Sequence, residues 1–232
     1  MLHIITCALF FLTLSECSLL KIHFPRLNEG FPRLRMDGNF PSLTECTLCL
    51  WIKPHSFQKE YSMLFSYAKR FQNEFAGCIS NISGSLKVGI DVMNEFIEFE
   101  CPNIKWEVGE WYHICASWFS TNGHLKVYTN GEQCFTTSHS EGIIGKGGYI
   151  HGGGIFVLGQ DQDALDGGYD ANQSWHGDIV DLHIWDEVLT EEQIVKTGLC
   201  DHKHKEGNVI AGMKTPMSAL DVVISQTELC ET

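Results

Sequence analysis

Basic residues are scarce: 16 Lys and Arg stand against 29 Asp and Glu, a formal net charge of −13 over 232 residues. A field of that sign repels phosphate backbones and anionic lipid surfaces, so no nucleic acid and no membrane insertion is expected, while cations are favoured. Acidity also serves solubility, and charge alone does not choose between the two. Beyond residue 17 no apolar run approaches roughly 18 residues, which argues against a helical membrane span. Low-complexity tracts, internal repeats and Pro/Ser linkers are absent as well, and the chain reads as one domain.

The one long apolar stretch stands at the front. MLHIITCALFFLTLSEC has signal-peptide length, with small Ser15 and Cys17 near the expected cut. Residues 1–17 are therefore expected to direct secretion to the extracellular space, leaving a domain of residues 18–232. Loss of Glu16 moves the charge from −13 to −12. Of the 10 cysteines, Cys7 and Cys17 leave with the signal; an even number remains, which in an oxidising compartment points to disulfides. A cysteine zinc site is marked by close thiolate pairs, and Cys46 with Cys49 has no second pair of similar spacing.

What fills the rest is a series of short β-rich runs punctuated by Gly, Asn and Asp, the pattern of an all-β sandwich. The clearest strands are TLCLWIK from Thr47, MLFSYA from Met63, WYHICASW from Trp111, GIFVLG from Gly154 and DIVDLHIW from Asp178. Leu125 to Phe135 reads as a hairpin, because Asn130-Gly131 accepts the positive φ of a type I′ turn. One short helix follows Thr190, whose hydroxyl and the Gln193 side chain form a capping box. Its apolar stripe would be Leu189, Ile194 and Val195, and Gly198 its left-handed stop. In the tail, His202 and His204 lie between lysines and read as a solvated turn, while Cys200 and Cys230 are expected to staple the C-terminal segment.

The richest stretch in chemistry is DQDALDGGYDANQS, Asp161 to Ser174, where a buried strand emerges into a Gly-containing loop. Asp161 and Asp163 project to one side if strand geometry continues, and Asp170 returns past the glycines. Calcium takes six to eight oxygens, and Asp161, Gln162, Asp163, Asp170 and Gln173 offer carboxylate, amide and main-chain oxygen. An acidic loop whose Asp and Asn residues merely make turns has the same composition. The letters also echo Glu-x-Asp-x-x-Glu of jelly-roll glycan hydrolases, with Asp161 and Asp166 as the outer pair. Both are one methylene short for the roughly 5 Å separation that retaining hydrolysis requires.

His113-Ile114-Cys115-Ala116-Ser117-Trp118, followed by Phe119 and Ser120, resembles the pentraxin signature His-x-Cys-x-Ser/Thr-Trp-x-Ser. LFSYA at 64–68, GQDQD at 159–163, GDI at 177–179 and W-D-x-V-L at 185–189 occur in the order of that family, that of C-reactive protein and serum amyloid P. The resemblance covers roughly residues 24–230, and the cysteine set is more similar to that of arthropod members.

The resemblance implies a two-sheet antiparallel jelly-roll sandwich, lectin-like, with one short helix. It implies a cyclic homo-oligomer and two Ca2+ ions on one face that bridge the protein to ligand. By position, Asn73 matches a ligand of the first ion, Asp161, Gln162 (through its main-chain carbonyl) and Asp163 the shared segment, and Asp170 and Gln173 the second ion. The chain departs from the family at Gln72, where Asp is common, so a charge is lost and the first ion weakened. Asp170 is one methylene shorter than the Glu often found. Cys49 and Cys115 match a bridge between neighbouring strands with Trp118 packed beside it, and His113 is read as a satisfied strand histidine. Cys101 with Cys134 flank the signature hairpin, and Cys46 with Cys78 remain; sequence does not fix that connectivity.

Two glycosylation acceptors occur, Asn81-Ile82-Ser83 and Asn172-Gln173-Ser174. Asn81 is the better site, since a glycan on Asn172 would crowd Gln173. The expected function is calcium-dependent pattern recognition of phosphocholine-like, phosphoethanolamine-like or carbohydrate ligands in innate immunity, without catalysis. Glycan hydrolysis and a laminin-G-like adhesion module are the alternatives.

Overall fold

Period-two alternation builds the molecule. Along β3 (Glu45–Ser56), Cys46, Leu48, Leu50 and Ile52 enter the main core, while Cys49 faces the other way into a smaller cluster. The computed structural model describes residues 19–227, apart from 28–29, 37, 71, 83, 138–141 and 200–204. The expected signal segment, His202, His204 and the Cys200–Cys230 pair lie outside the described residues.

Two antiparallel sheets face each other. The first runs β10 (Glu132–Thr136), β9 (His124–Thr129), β8 (Tyr112–Phe119), β3, β12 (His176–Trp185), β1 (Leu19–Phe24), β15 (Val223–Thr227), with β13 (Ile210–Ala211) beside β12. The second runs β14 (Met217–Leu220), β2 (Arg33–Met36), β11 (Ile155–Leu158), β4 (Tyr61–Lys69), β5 (Gln72–Ser80), β6 (Lys87–Val92), β7 (Glu95–Phe99). Each strand run read from the sequence falls within one of these elements or overlaps it. Between the sheets, Phe40 stacks on Tyr67 with centroids 4.1 Å apart, and Phe65 stacks on Phe156 at 5.8 Å. Each such ring removed from water contributes about 1.5–3 kcal/mol.

The β9–β10 hairpin turns at Asn130 (φ 52°) and Gly131 (φ 81°), as the Asn-Gly pair requires. The Asn130 side chain also accepts from the His113 backbone N–H at 2.9 Å, tying the turn to the signature strand. The helix α1 (Glu191–Thr197) carries the expected box: Thr190 Oγ1 accepts from Gln193 N–H and Gln193 Oε1 accepts from Thr190 N–H.

Three local expectations are corrected. Gly198 is right-handed (φ −89°, ψ 0°), because the helix tightens into a last turn with its N–H on Val195 O. Glycine fits there for another reason: a Cβ would come 3.0 Å from His113 Nδ1. Val195 is exposed and Thr197 is buried, since Ile194 and Thr197, three apart, share the face that meets the sheet. Trp118 does not flank the Cys49–Cys115 bridge. It lies three positions after Cys115, an odd spacing that turns it to the other face of the strand and into the main core, with its Nε1 donating to Ile144 O at 2.8 Å. Tyr128, Trp185, Leu189 and Ile194 surround the bridge instead.

Cys49 and Cys115 are direct partners across β3 and β8 and are bonded. Cys101, just past edge strand β7, is bonded to Cys134 on edge strand β10. That bond joins the open edges of the two sheets. Cys46 and Cys78 are not bonded to each other; both are free and buried. Cys46 faces the inter-sheet core, whereas Cys78 sits on the outer side of β5 with Met63 and Ala76, so a layer of sheet separates them.

Candidate metal and ligand site

Gly159 ends β11 with φ 89°, and a Cβ there would meet the Phe24 ring at 2.4 Å. Strand geometry stops at this point, so Asp161 and Asp163 do not share a face: Asp161 is half-buried and Asp163 is exposed. The loop closes at its base where Trp175 N–H donates to Gly159 O (3.0 Å), and it leans on β4 through Met63 N–H to Gln173 O (2.8 Å).

Two buried glutamines hold the loop in shape. Gln160 Nε2 donates to Pro32 O at 3.0 Å and its Oε1 accepts from Ser174 Oγ at 3.0 Å. Gln162 Nε2 donates to Ser66 O and Oγ (both 3.1 Å) and to Ile155 O (3.0 Å), and its Oε1 accepts from Asp166 N–H (3.1 Å). With its side chain engaged in this way, Gln162 has only the main-chain carbonyl to offer a ligand. Gln160 carries no sequence signal beyond its neighbourhood, since a buried amide and a surface amide read alike.

Asn73, at the start of β5, donates from Nδ2 to Asp161 Oδ1 at 2.9 Å, and Gln162 N–H donates to the same oxygen at 2.9 Å. Asn73, Asp161 and Gln173 line one cavity of about 130 Å³. Asn73 Oδ1 and Gln173 Oε1 are buried and have no hydrogen-bond partner among the described residues. Oxygens left in that condition cost free energy unless something electropositive fills the gap. The donors are all hard oxygen, which suits calcium in its chemistry. The Gln72 side chain lies outside the described residues.

Asp170 stands apart. It is exposed, accepts from Asn172 N–H (2.8 Å) and Nδ2 (2.9 Å), and lines a neighbouring cavity that shares Gln173. Among the described residues, Asp161, Asp163 and Asp170 do not form a group with oxygens mutually within 4.8 Å. Asp166 turns away to an ion pair with Arg35 (3.0 Å) and accepts from Tyr169 OH (3.0 Å). It does not line the Asp161 cavity, so the two outer carboxylates of the hydrolase-like pattern are not a facing pair.

The cavity wall was not legible as such. Tyr61, Met63, Cys78 and Phe96 form its apolar side, and Asp91 of β6 also lines it. Burial pushes the Asp91 carboxyl up to about 6; the Asn94 backbone N–H opposes this and the Asp161 charge adds to it. Burial likewise raises Asp161, against the hydrogen bonds from Asn73 and Gln162. In sequence, Asp91 reads as the start of the β6–β7 turn, a role it also has through Asn94 N–H (3.0 Å).

The signature residues belong elsewhere. His113 is buried, with Nε2 3.2 Å from Thr197 Oγ1, beneath α1 on the outer side of the first sheet. Its proximity to Cys49 and Cys115 makes no metal site, because those sulfurs are bonded to each other. Asn81 is half-buried with Nδ2 donating to Gln58 O at 3.2 Å, and Asn172 is exposed.

Comparison with known proteins agrees with this architecture. A model of the Pentaxin family matches residues 21–226. C-reactive protein 1.1 of Limulus polyphemus is 36% identical over 232 residues, covering 97% of this chain and 93% of that protein. Human neuronal pentraxin-1 is 29% identical over 82% of this chain and 42% of its own length. The crystal structure of a native heptameric SAP-like pentraxin from Limulus polyphemus superposes with a TM-score of 0.84 at 35% identity, covering 94% of this chain and 99% of that one. The chain belongs to the pentraxin family.

Proposed function

We propose that this pentraxin is a secreted, calcium-dependent lectin of innate immunity that recognises phosphocholine-like, phosphoethanolamine-like or carbohydrate groups on repetitive surfaces. As a pentraxin it is a recognition protein and not an enzyme. The observation that carries the calcium reading is the pair of buried, unpartnered amide oxygens, Asn73 Oδ1 and Gln173 Oε1, beside Asp161.

Asn73, Asp161, the Gln162 carbonyl, Asp163, Asp170 and Gln173 would hold two ions, the first weakened by Gln72. Bound calcium supplies positive charge and open coordination positions that phosphate or sugar hydroxyl oxygens fill. The chain's own residues select what lies beyond. Tyr61, Met63 and Phe96 offer apolar surface, and Asp91 offers a negative charge to the cationic end of a zwitterionic headgroup.

The heptameric Limulus homologue supports assembly as a ring, in which weak single contacts gain strength by multivalency. Secretion fits the bonded cysteines, and no helix among the described residues is long and apolar enough to cross a membrane. Asn81 is the glycosylation site we favour.

Retention on a phosphoethanolamine matrix, with and without chelator, tests the reading. Wild type is expected to bind with calcium and elute with chelator, and Asp163→Ala to pass through in both conditions. Retention that survives chelation overturns it. Sedimentation with and without calcium reads the ring.

A further inference from the structure

We infer that the outer face of the first sheet carries a transition-metal site, suited to zinc, built from His23, His55 and Asp178. The three come from adjacent strands β1, β3 and β12. In the register His23 lies opposite Asp178, and Asp178 opposite Lys53. Their neighbours Ile22, Phe24, Ile52 and Ile179 all point into the core, so this triad faces away from it. It lies on the opposite side of the sandwich from Asn73 and Asp161.

The three side chains converge, and a bound ion would replace the His23–Asp178 hydrogen bond. One ligand atom from each residue lies within 4.8 Å of the other two. His23 Nδ1 is 2.7 Å from Asp178 Oδ1, and the two imidazole centroids are 5.2 Å apart. His55 Nε2 is 3.4 Å from Asp178 Oδ2, longer than a good N–H···O hydrogen bond. That spacing is instead close to the roughly 3.3 Å between ligands of a tetrahedral zinc with bonds of about 2.0–2.1 Å.

Burial and charge point the same way. The Asp178 side chain is 6% exposed, whereas His23 and His55 are 33% and 40% exposed. The carboxylate is thus set beneath two solvent-reaching imidazoles that leave a path for an ion. Lys21 Nζ stands 3.9 Å from Asp178 Oδ2, at the outer limit of an ion pair, and Lys53 lies over the Trp111 ring at 5.7 Å. A dication would satisfy this buried charge better than Lys21 does. Two nitrogens and one carboxylate favour zinc, copper, nickel or cobalt, whereas calcium demands six to eight oxygens. The face opposite the calcium loops therefore takes a chemically different ion, and calcium does not compete for it.

The test uses the full chain in saturating calcium, titrated with zinc chloride against a chromophoric chelator, with the cobalt absorption spectrum as a second readout. One zinc per chain is expected, and His55→Gln is expected to weaken it by at least about tenfold, since even the loss of an outer-shell partner costs 10–100-fold. A His23→Gln/His55→Gln variant should lose the site and the cobalt bands while keeping the wild-type melting temperature in calcium. His202→Gln/His204→Gln should bind as wild type. The proposal is overturned if wild type takes up no zinc, if the His23/His55 variant binds as tightly, or if the tail variant loses the ion.

Discussion

Asn73 Nδ2 donates to Asp161 Oδ1 at 2.9 Å and so joins two segments 88 positions apart at the mouth of one cavity. Its own oxygen remains unpartnered, and Asp161 is raised by burial. A cation bound between them, as proposed above, would relieve both conditions.

Asp161→Ala is expected to abolish calcium-dependent stabilisation. At a calcium concentration 100 times the dissociation constant, wild type gains about 2.7 kcal/mol. Melting curves with and without calcium should separate for wild type and coincide for the variant. A separation that persists in Asp161→Ala would sink the assignment.

Gln162→Ala should behave differently. It strips several buried bonds from Ser66, Ile155 and Asp166 at once, and leaving such groups unsatisfied costs about 2–4 kcal/mol. Chemical denaturation should show that loss in chelator as well as in calcium, because the side chain supports the loop and not the ion.

The Cys101–Cys134 bond spans 33 positions, so removing it as Cys101→Ser/Cys134→Ser releases unfolded-state entropy worth about 3–4 kcal/mol. A fall in melting temperature of about 10 °C is expected by calorimetry. Phe99 and Phe135, stacked at 4.1 Å beside it, should become accessible first, seen as faster amide exchange at β7 and β10.

Cys46 and Cys78 are thiols, not partners. Burial pushes Cys46 up to about 12 and raises Cys78 as well. Iodoacetamide should leave both unmodified in the native protein and alkylate both after unfolding without reductant, as read by peptide mapping. Protection in the unfolded state would mean they are bonded after all.

Asp91 gives the pH dependence. Its carboxyl is raised from 3.8 to about 6 in the folded chain, so between those values the folded state holds more protons than the unfolded one. Its contribution therefore favours folding at low pH and is lost as pH rises through about 6, by at most about 3 kcal/mol and less after solvent screening. Asp91→Asn in chelator should be more stable than wild type at pH 7, with the gap closing towards pH 4. An unchanged gap would show that Asp91 is not held in a low-dielectric wall.

The strands and the capping box were legible because each rests on neighbours in sequence: alternation along Thr47–Lys53, the Asn130-Gly131 turn, Thr190 with Gln193. The Cys49–Cys115 bond was legible through the signature that carries Cys115. What failed needed tertiary knowledge. Pairing Cys46 with Cys78 by elimination ignored that one faces inward and the other outward on opposite sheets. Placing Trp118 beside Cys115 overlooked an odd spacing along a strand. Asp91, Cys78 and Phe96 meet Asp161 only because β5, β6 and β7 lie side by side, and no local pattern records that.

The amides of Gln160 and Gln162 carry no charge, and they fix the acidic loop from within. Protonation does not touch amide contacts of this kind, so the loop's outline is independent of pH. Under the calcium reading proposed above, ions would leave and return to a frame that is already built, without a refolding step.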